Sequence, residues 1–344
     1  GRDEIVRAVE RLIRRETGQR SIVPPPSKVA LCDGDRLRIT PRHVGYLKIA
    51  EGCDRTCTFC SIPSIRGKHV SKPIEQIVDE ARQLADDGVR ELILVAQDTT
   101  YYGIDREGRP QLAQLLRRLD QVRGIEWIRL MYAYPMHVTD ELIDTIVDCP
   151  KVIHYLDMPL QHAADAVLRR MNRRVKRAQT DRLIDRLRSR IDGLVLRTTV
   201  MTGFPGETEQ EFEQLLQFVR ERKFERLGVF EFSPEPGTPA AGMDGRCTAQ
   251  VAADRRQEIM LAQQGITFDA NERQIGAKRD ILIDSCIPGE ENAYLGRSYA
   301  EAPEIDGLVY VTGPDIGPGQ IVPCEIVAAN EYDLIAAAVG LAAR

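Results

Sequence analysis

The amino-acid sequence predicts an α/β domain built on a parallel β-sheet, followed by a small all-β module. Two observations carry this prediction. Short apolar runs alternate with amphipathic helical stretches over most of the chain, and short strand-like runs separated by glycine and proline turns make up its end. With 344 residues, of which 43% are hydrophobic, the chain can supply one large core and a second, smaller one.

The first stretch, residues 3–15, predicts a helix that stands before the break at Pro24–Pro26. Its apolar side chains share one helical face: Ile5, Val9, Leu12 and Ile13. Because this face has no partner nearby in the sequence, and because the first residue is not Met, we expect residues 1–38 to be the remnant of an N-terminal domain plus a linker.

Six apolar runs predict the strands of the sheet: residues 46–50, 91–96, 127–131, 152–158, 194–200 and 226–232. Amphipathic stretches follow them, such as the one that begins at Pro73 and stops at Gly88. This alternation over residues 39–274 is typical of a parallel sheet, which can be open or curled into a full or partial barrel. Periodicity does not distinguish between these arrangements.

A predicted helix over residues 248–274 ends the alternation. Four strand-like runs follow it: residues 281–283, 293–299, 307–311 and 324–328. They predict a small all-β barrel over residues 275–344. This module holds four basic and eleven acidic residues, whereas the whole chain has a net charge of -5. An acidic module repels phosphate and attracts cationic proteins, so it favours a basic protein partner over RNA; the alternative is an acidic surface that only keeps the module soluble.

Composition also indicates the compartment. No run of about 18 apolar residues and no signal peptide is present, so we expect a cytoplasmic protein without a membrane partner. Three of the eight cysteines fall within eight residues and the other five are scattered, which is not a disulfide framework. We therefore expect a reducing environment.

The three clustered thiols, Cys53, Cys57 and Cys60, follow the first predicted strand with the spacing C-x3-C-x2-C. Each can bind one iron of a [4Fe-4S] cluster, which leaves the fourth iron without a protein ligand. S-adenosyl-L-methionine can chelate that iron, and its cleavage would yield methionine and a 5'-deoxyadenosyl radical. The alternatives are inert thiols or a zinc site completed by His43 or His69, which would make the chain a non-catalytic, zinc-dependent binding module.

The cysteine loop, with Phe59 before its last cysteine, resembles the signature of the radical-SAM superfamily. Three further stretches resemble its methylthiotransferase family: residues 46–50, 203–208 and 232–240. The resemblance covers the chain from about Ile39. It implies a partial (β/α)6 TIM-like barrel over residues 39–274, followed by a TRAM barrel over residues 275–344.

Other stretches resemble the RimO-type branch of that family: residues 95–103, 132–135 and 157–162. This implies that a methylthio group is added to the β-carbon of an aspartate in small-subunit ribosomal protein S12. The implied partners are that basic protein, bound by the acidic TRAM barrel, an electron donor and a sulfur donor, but not transfer RNA. The alternative is the MiaB-type branch, which modifies adenosine in transfer RNA and typically reads Gln-Asn-Val and Gln-Ser-Gly at the first and last of these stretches.

The resemblance also implies cofactor contacts near the carboxyl ends of strands, where barrel enzymes bind ligands. The candidate residues are Gln97, Asp98, Gln161, Arg197, Gly203 and Phe204. Gln97 and Asp98 would meet the methionine or ribose part of the cofactor, unless they only cap a strand end. Arg197 would meet its carboxylate, unless it forms a structural ion pair. Phe204 would line the adenine pocket, unless residues 203–206 are a plain strand-to-helix turn.

Full-length members of this family carry an N-terminal domain whose three cysteines hold a second [4Fe-4S] cluster, from which sulfur is delivered. We expect that domain to be missing here, so that the chain holds one cluster and can cleave its cofactor yet fail to insert sulfur. The remaining thiols are too dispersed to replace it and are expected to be structural: Cys32, Cys149, Cys247, Cys286 and Cys324. His162 and the six cations of residues 169–177 are also more typical of structural or solvated positions than of a site.

Overall fold

The computed structural model of the protein describes residues 2–14 and 38–340. Eight strands precede the C-terminal module: β1 (Val44–Lys48), β2 (Ala50–Glu51), β3 (Val70–Ser71), β4 (Glu91–Val95), β5 (Trp127–Leu130), β6 (Val152–Asp157), β7 (Val195–Thr202) and β8 (Arg226–Glu231). The helices are α1 (Arg2–Ile13), α2 (Ile62–Arg66), α3 (Ile74–Asp86), α4 (Ile104–Glu107), α5 (Leu112–Asp120), α6 (Asp140–Asp148), α7 (Asp165–Arg170), α8 (Arg177–Arg190), α9 (Glu209–Arg222) and α10 (Ala249–Glu272).

Six parallel strands form one sheet in the order β1-β4-β5-β6-β7-β8, so all six predicted strands are confirmed. The sheet has two edge strands, β1 and β8, and is therefore a partial barrel rather than a closed one. Helix α9 illustrates how capping residues in the sequence set the start of a helix. Thr208 and Glu211 cap α9 reciprocally, each side chain accepting a hydrogen bond from the other residue's backbone N–H, at 3.2 and 2.8 Å.

The C-terminal module has the strands β9 (Lys278–Cys286), β10 (Ala293–Arg297), β11 (Val309–Thr312), β12 (Ile321–Asn330) and β13 (Asp333–Ala338). They form a closed barrel in the order β10-β11-β13-β12-β9. Four of the five were predicted. The sequence analysis missed β13 because its alanine-rich run has only one of the β-branched residues typical of strands, Ile335, and no aromatic residue.

The second barrel packs against the amino-terminal ends of the parallel strands. Apolar side chains of both barrels share one buried cluster there, in which Leu282 and Ala300 of the second barrel meet Val44, Trp127 and Val195, each the first residue of its strand. The opposite, carboxyl-terminal end of the sheet is thereby left for the loops that follow the strands, among them the cysteine loop.

The predicted N-terminal helix is α1, and its apolar face, including Leu12 and Ile13, is exposed. The predicted linker with Pro24–Pro26, and also Cys32, lie outside the described residues. Among the residues that are described, no helix is long and apolar enough to cross a membrane.

Candidate functional site

The cysteine loop follows β2, just beyond the carboxyl end of β1, and is held by backbone contacts from both sides. The Cys53 N–H donates to the Gly67 carbonyl oxygen at 3.1 Å, and the Thr58 N–H donates to the Met171 carbonyl oxygen at 3.1 Å. Gly52 must be glycine, because a Cβ there would lie 2.1 Å from the Lys68 carbonyl oxygen. The loop is therefore a fixed platform for its thiols.

The three loop cysteines are free, half-buried thiols that line one cavity of about 320 Å³. Cavities of about 370 and 570 Å³ lie elsewhere and contain no cysteine. The smaller cavity is therefore the candidate site because of its thiols and not because of its volume. Its other lining residues come from loops at the carboxyl ends of the strands and from β7 and β8: Arg55, Phe59, Gln97, Asp98, Tyr132, Ala133, Tyr134, Pro159, Gln161, Arg173, Thr199 and Phe230.

Two of the three thiols, those of Cys53 and Cys60, are protonated at neutral pH when no metal is bound, because burial raises the pKa of each. Burial raises the pKa of Cys53 to about 11, although a hydrogen bond from the Arg55 N–H at 3.4 Å opposes this shift. Burial also raises the pKa of Cys60. Binding of iron must therefore displace protons from these residues.

The Asp98 carboxylate forms an ion pair with Arg55 and does not face the cavity as a free carboxylate. Its Oδ2 accepts hydrogen bonds from Nε and Nη2 of Arg55 at 3.1 and 3.0 Å, and its Oδ1 accepts from Thr100 Oγ1 and the Tyr101 N–H. The guanidinium of Arg55 lies 4.0 Å from the ring centroid of Tyr134. Asp98 lines the cavity, where the sequence analysis predicted a cofactor contact, and it binds Arg55 there. The sequence analysis did not select Arg55, although it stands between two of the cysteines.

Gln97 and Gln161 both line the cavity, as the sequence predicted for cofactor contacts. Gln97 Oε1 is buried and has no hydrogen-bond partner among residues 2–14 and 38–340. Gln161 has a φ of 75° and is fixed against β7, since its N–H donates to the Thr199 carbonyl and its carbonyl accepts from the Met201 N–H, both at 2.8 Å. Both residues therefore line the cavity that holds the thiols, and the Gln97 amide oxygen is left without a partner in the described part of the chain.

Arg197 lies outside this cavity. Its Nη1 is 2.8 Å from Asp157 Oδ1 and its Nε is 3.8 Å from Asp306 Oδ1, so the structural ion pair that was the alternative is the arrangement present. The half-buried guanidinium needs such compensation, and a carboxylate on the neighbouring strand supplies it.

Gly203 and Phe204 form a packed turn and do not reach the cavity. Phe204 is fully buried and meets Phe232 edge to face at 5.4 Å, so the adenine-pocket prediction is corrected. Gly203 has a φ of 73°, and a Cβ there would lie 2.7 Å from Ala252 Cβ in α10. His162 is buried, and its Nδ1 accepts a hydrogen bond from the Ala164 N–H at 3.0 Å, whereas its Nε2 has no hydrogen-bond partner among the described residues.

One of the two histidines considered as a zinc ligand, His43, lies away from the cysteine loop. His43 Nε2 lies 2.8 Å from Asp284 Oδ1 at the amino end of β1, the end away from the cysteine loop, and His69 Nε2 contacts Ser71 Oγ at 3.2 Å. In the described part of the chain, no three His, Cys, Asp or Glu side chains are arranged to hold one metal ion. A [4Fe-4S] cluster differs from such a site in placing each thiolate on a different iron.

Comparison with known proteins agrees with this geometry. Residues 47–219 match the family model of the radical SAM superfamily, and residues 275–339 match that of the TRAM domain. Coproporphyrinogen III oxidase (HemN) from Escherichia coli, a radical SAM enzyme, has a related fold, with a TM-score of 0.50 and 16% identity over 92% of this chain and 74% of that one.

Close relatives share much of the sequence. The chain is 49% identical to the ribosomal protein uS12 methylthiotransferase RimO of Caldanaerobacter subterraneus subsp. tengcongensis, over 87% of this chain and 68% of that protein. It is 47% identical to the protein of the same name from Anaeromyxobacter sp. strain K, over 95% of this chain and 70% of that protein. The comparison thus extends through both barrels.

Proposed function

The chain belongs to the RimO family of radical-SAM methylthiotransferases, and from this premise we propose that it adds a methylthio group to the β-carbon of an aspartate in ribosomal protein uS12. The observation that carries the proposal is the convergence of three free thiols on one cavity at the carboxyl end of an open parallel sheet. The substrate is proposed from the relatives, which share 43–49% of their residues with this chain and are named for uS12.

An iron–sulfur cluster and S-adenosyl-L-methionine are the cofactors of this family, and the residues of the cavity fit both. Cys53, Cys57 and Cys60 would hold a [4Fe-4S] cluster, and the unpartnered Gln97 Oε1 together with Gln161 would meet S-adenosyl-L-methionine. When bound, this pair supplies the one-electron chemistry that removes hydrogen from an unactivated carbon. The chain's own contribution is to bind, orient and partly desolvate the reacting groups.

We propose the acidic C-terminal barrel as the surface that receives the basic substrate. Six of its carboxylates are exposed: Asp280, Glu290, Glu291, Glu304, Asp315 and Glu331. Others already compensate arginines at the junction of the two barrels, such as Glu301, which lies 2.8 Å from Arg226. The exposed group supports attraction of a cationic protein and disfavours transfer RNA.

The remaining requirements follow from the reaction. The methylthio group needs a sulfur donor, for which we propose a second [4Fe-4S] cluster in an N-terminal domain of the kind that residues 1–38 would follow. The proposed cluster of this chain needs an electron donor. We further propose domain boundaries at residues 38/39 and 274/275, and a cytoplasmic location, where thiols stay reduced.

Deletion of the gene in its own organism tests the proposed substrate. Mass spectrometry should show that uS12 loses its methylthio group in the deletion strain and regains it with the wild-type gene. Cys57→Ala should not restore it, whereas Cys286→Ala should, because Cys286 is an exposed thiol of the second barrel. The proposal fails if uS12 stays modified while nucleosides of transfer RNA lose their methylthio groups, which is the outcome expected of a MiaB-type enzyme.

A further inference from the structure

We propose that a basic groove beside the cysteine cavity is the docking surface for the electron donor, and that this donor is an acidic electron-transfer protein. One electron would leave the reduced donor and enter the cluster, so that the donor is oxidised and the cluster reduced, while no bond forms or breaks. The proposal rests on the cluster of the proposed function but not on its substrate.

The groove has a volume of about 570 Å³ and is lined by the β5–α6 loop, the α7–α8 loop and α8. Its lining includes three arginines: Arg174, Arg182 and Arg186. Arg174 and Arg182 are exposed and have no ion-pair partner among residues 2–14 and 38–340, whereas Arg186 lies 3.6 Å from Asp140. Asp185 also lines the groove, but it is paired with Arg222 at 2.7 Å. The groove therefore carries uncompensated positive charge, which attracts an anionic partner.

This groove adjoins the cavity that contains the thiols. Tyr134 lines the cavity, and the next residue, Pro135, lines the groove. Arg173 and Arg174 are divided between the cavity and the groove in the same way. A protein seated in the groove would therefore be a neighbour of the proposed cluster.

The α7–α8 loop, which forms one wall of the groove, is also bound to the cysteine loop. Nδ2 of Asn172 donates a hydrogen bond to the Thr56 carbonyl oxygen at 2.9 Å. The Thr58 N–H donates to the Met171 carbonyl oxygen at 3.1 Å. These two bonds hold the backbone on either side of Cys57. Because Asn172 is exposed, they give a short hydrogen-bonded path from the surface beside the groove to a proposed cluster ligand.

The chemistry of the groove favours an acidic protein over the other macromolecules that this chain could meet. The proposed substrate is basic, so the positive groove would repel it. RNA gains its affinity from many neutralised phosphates, whereas the groove offers two unpaired, exposed arginines beside apolar surface such as Met136, which is 44% exposed. Apolar surface with a charged rim suits a protein partner, and electron-transfer proteins form small, transient interfaces of this kind.

The test measures how fast the cluster of the loaded protein is reduced, followed by electron paramagnetic resonance after rapid freezing. The probe is a reduced, acidic flavodoxin. Dithionite, a small reductant that needs no docking surface, is the reference. Calorimetry measures flavodoxin binding directly, and circular dichroism and iron content confirm that each protein is folded and loaded.

The charge-reversal variants are Arg174→Glu and Arg182→Glu, and Arg174→Lys keeps the positive charge. Arg123→Glu is the matched control. Arg123 is exposed, precedes β5 at the amino-terminal end of the sheet and has no ion-pair partner in the described part of the chain.

We expect Arg174→Glu and Arg182→Glu each to bind flavodoxin more weakly and to be reduced by it about tenfold more slowly at low salt, because interface charges act mainly on association. High salt should shrink this difference by screening the charges. Arg174→Lys and Arg123→Glu should behave like the wild type, and dithionite should reduce all of these proteins at the same rate.

The groove is not the docking surface if flavodoxin reduces both charge-reversal variants within about twofold of the wild-type rate, or if Arg123→Glu is slowed as much as they are. Equal slowing with dithionite would also overturn the proposal, because the defect would then lie at the cluster. Loss of binding to small-subunit ribosomal RNA in the same variants, with normal reduction by flavodoxin, would assign the groove to RNA instead. Since uS12 takes no part in these measurements, the proposed substrate can fail while the docking surface is upheld.

Discussion

Arg297 of the C-terminal barrel donates a 2.7 Å hydrogen bond from Nη1 to Oε2 of Glu91, the first residue of β4. Both side chains are buried, and Oε1 of Glu91 accepts a second bond from Arg129 at 2.7 Å. Arg297 also binds Asp284, which is in turn contacted by His43. A continuous network of charged side chains therefore joins the two barrels. Separating the barrels would leave some of these charges without their ion-pair partners.

Removal of Arg297 should strongly destabilise the protein. Arg297→Met keeps most of the side-chain volume but leaves Glu91 with one partner and Asp284 with only His43. Breaking a buried ion pair on one side costs about 3–5 kcal/mol, because the other charge stays in an apolar surrounding. Urea unfolding followed by circular dichroism should show this as a lower midpoint.

Arg82→Gln is the control for this experiment. Arg82 pairs with Asp79 at 2.8 Å, but both side chains are about 60% exposed. An exposed pair contributes less than about 1 kcal/mol, so this variant should unfold near the wild-type midpoint. Equal effects of the two substitutions would contradict a structural role for the buried network.

The same network should make stability depend on pH in acid. Burial alone would raise the pKa of Glu91, but Arg129 and Arg297 outweigh it and hold the pKa below its ordinary value. A depressed pKa stabilises the folded state above the ordinary carboxyl range and ceases to do so as pH falls through the folded value. The stability gap between wild type and Glu91→Gln should thus be largest near pH 7 and shrink below about pH 4.

Urea midpoints measured from pH 7 to pH 3 on both proteins check this expectation. Asp79→Asn, which alters an exposed carboxylate, should parallel the wild type over the whole series. A gap between wild type and Glu91→Gln that stays constant or widens in acid would show that the charge of Glu91 does not contribute in the proposed way.

Much of the fold was predictable because buried parallel strands are continuous apolar runs. Leu92, Ile93 and Leu94 are all buried, and such a run stands out between polar loops. Strand β13 was missed because it gains its strand character from pairing with β11 and β12, which are tertiary contacts. Whether the first barrel closes depends on whether its edge strands, β1 and β8, pair with each other. The apolar periodicity of the sequence does not indicate such pairing.

The site was predictable where it is local in sequence. Three thiols within eight residues converge on one cavity because one loop carries them. The sequence left two alternatives for Arg197 because its ion-pair partner, Asp157, lies on another strand forty residues earlier. The acidic count of the second barrel also overstated its surface charge, since Glu301 and Asp306 face arginines of the first barrel.

Gly203→Ala should be more harmful than Gly237→Ala, although both glycines have positive φ. A left-handed conformation costs a non-glycine residue about 1–2 kcal/mol, and this is all that Gly237→Ala should lose, because nothing lies within 4 Å of its added Cβ. At Gly203 the Cβ would lie 2.7 Å from Ala252 Cβ, so about 1–3 kcal/mol of overpacking adds to it. Thermal unfolding of both variants measures the difference, and equal losses would show that α10 moves aside freely.

Asp98 and Arg55 should behave as one unit in cofactor binding. Because both oxygens of Asp98 are already engaged, the carboxylate is expected to act through the Arg55 guanidinium that it fixes against Tyr134. Asp98→Asn and Arg55→Gln should each weaken binding of S-adenosyl-L-methionine to the cluster-loaded protein, and the double variant should lose little more than Arg55→Gln alone. Their coupling free energy should lie within about 0.5–3 kcal/mol, as for residues in direct contact.

Calorimetry on the wild type, the two single variants and the double variant measures this coupling free energy, with iron content as the control for cluster loading. Fully additive losses would instead mean that Asp98 contacts the cofactor by itself, because the effect of its carboxylate would then persist after the Arg55 guanidinium is removed.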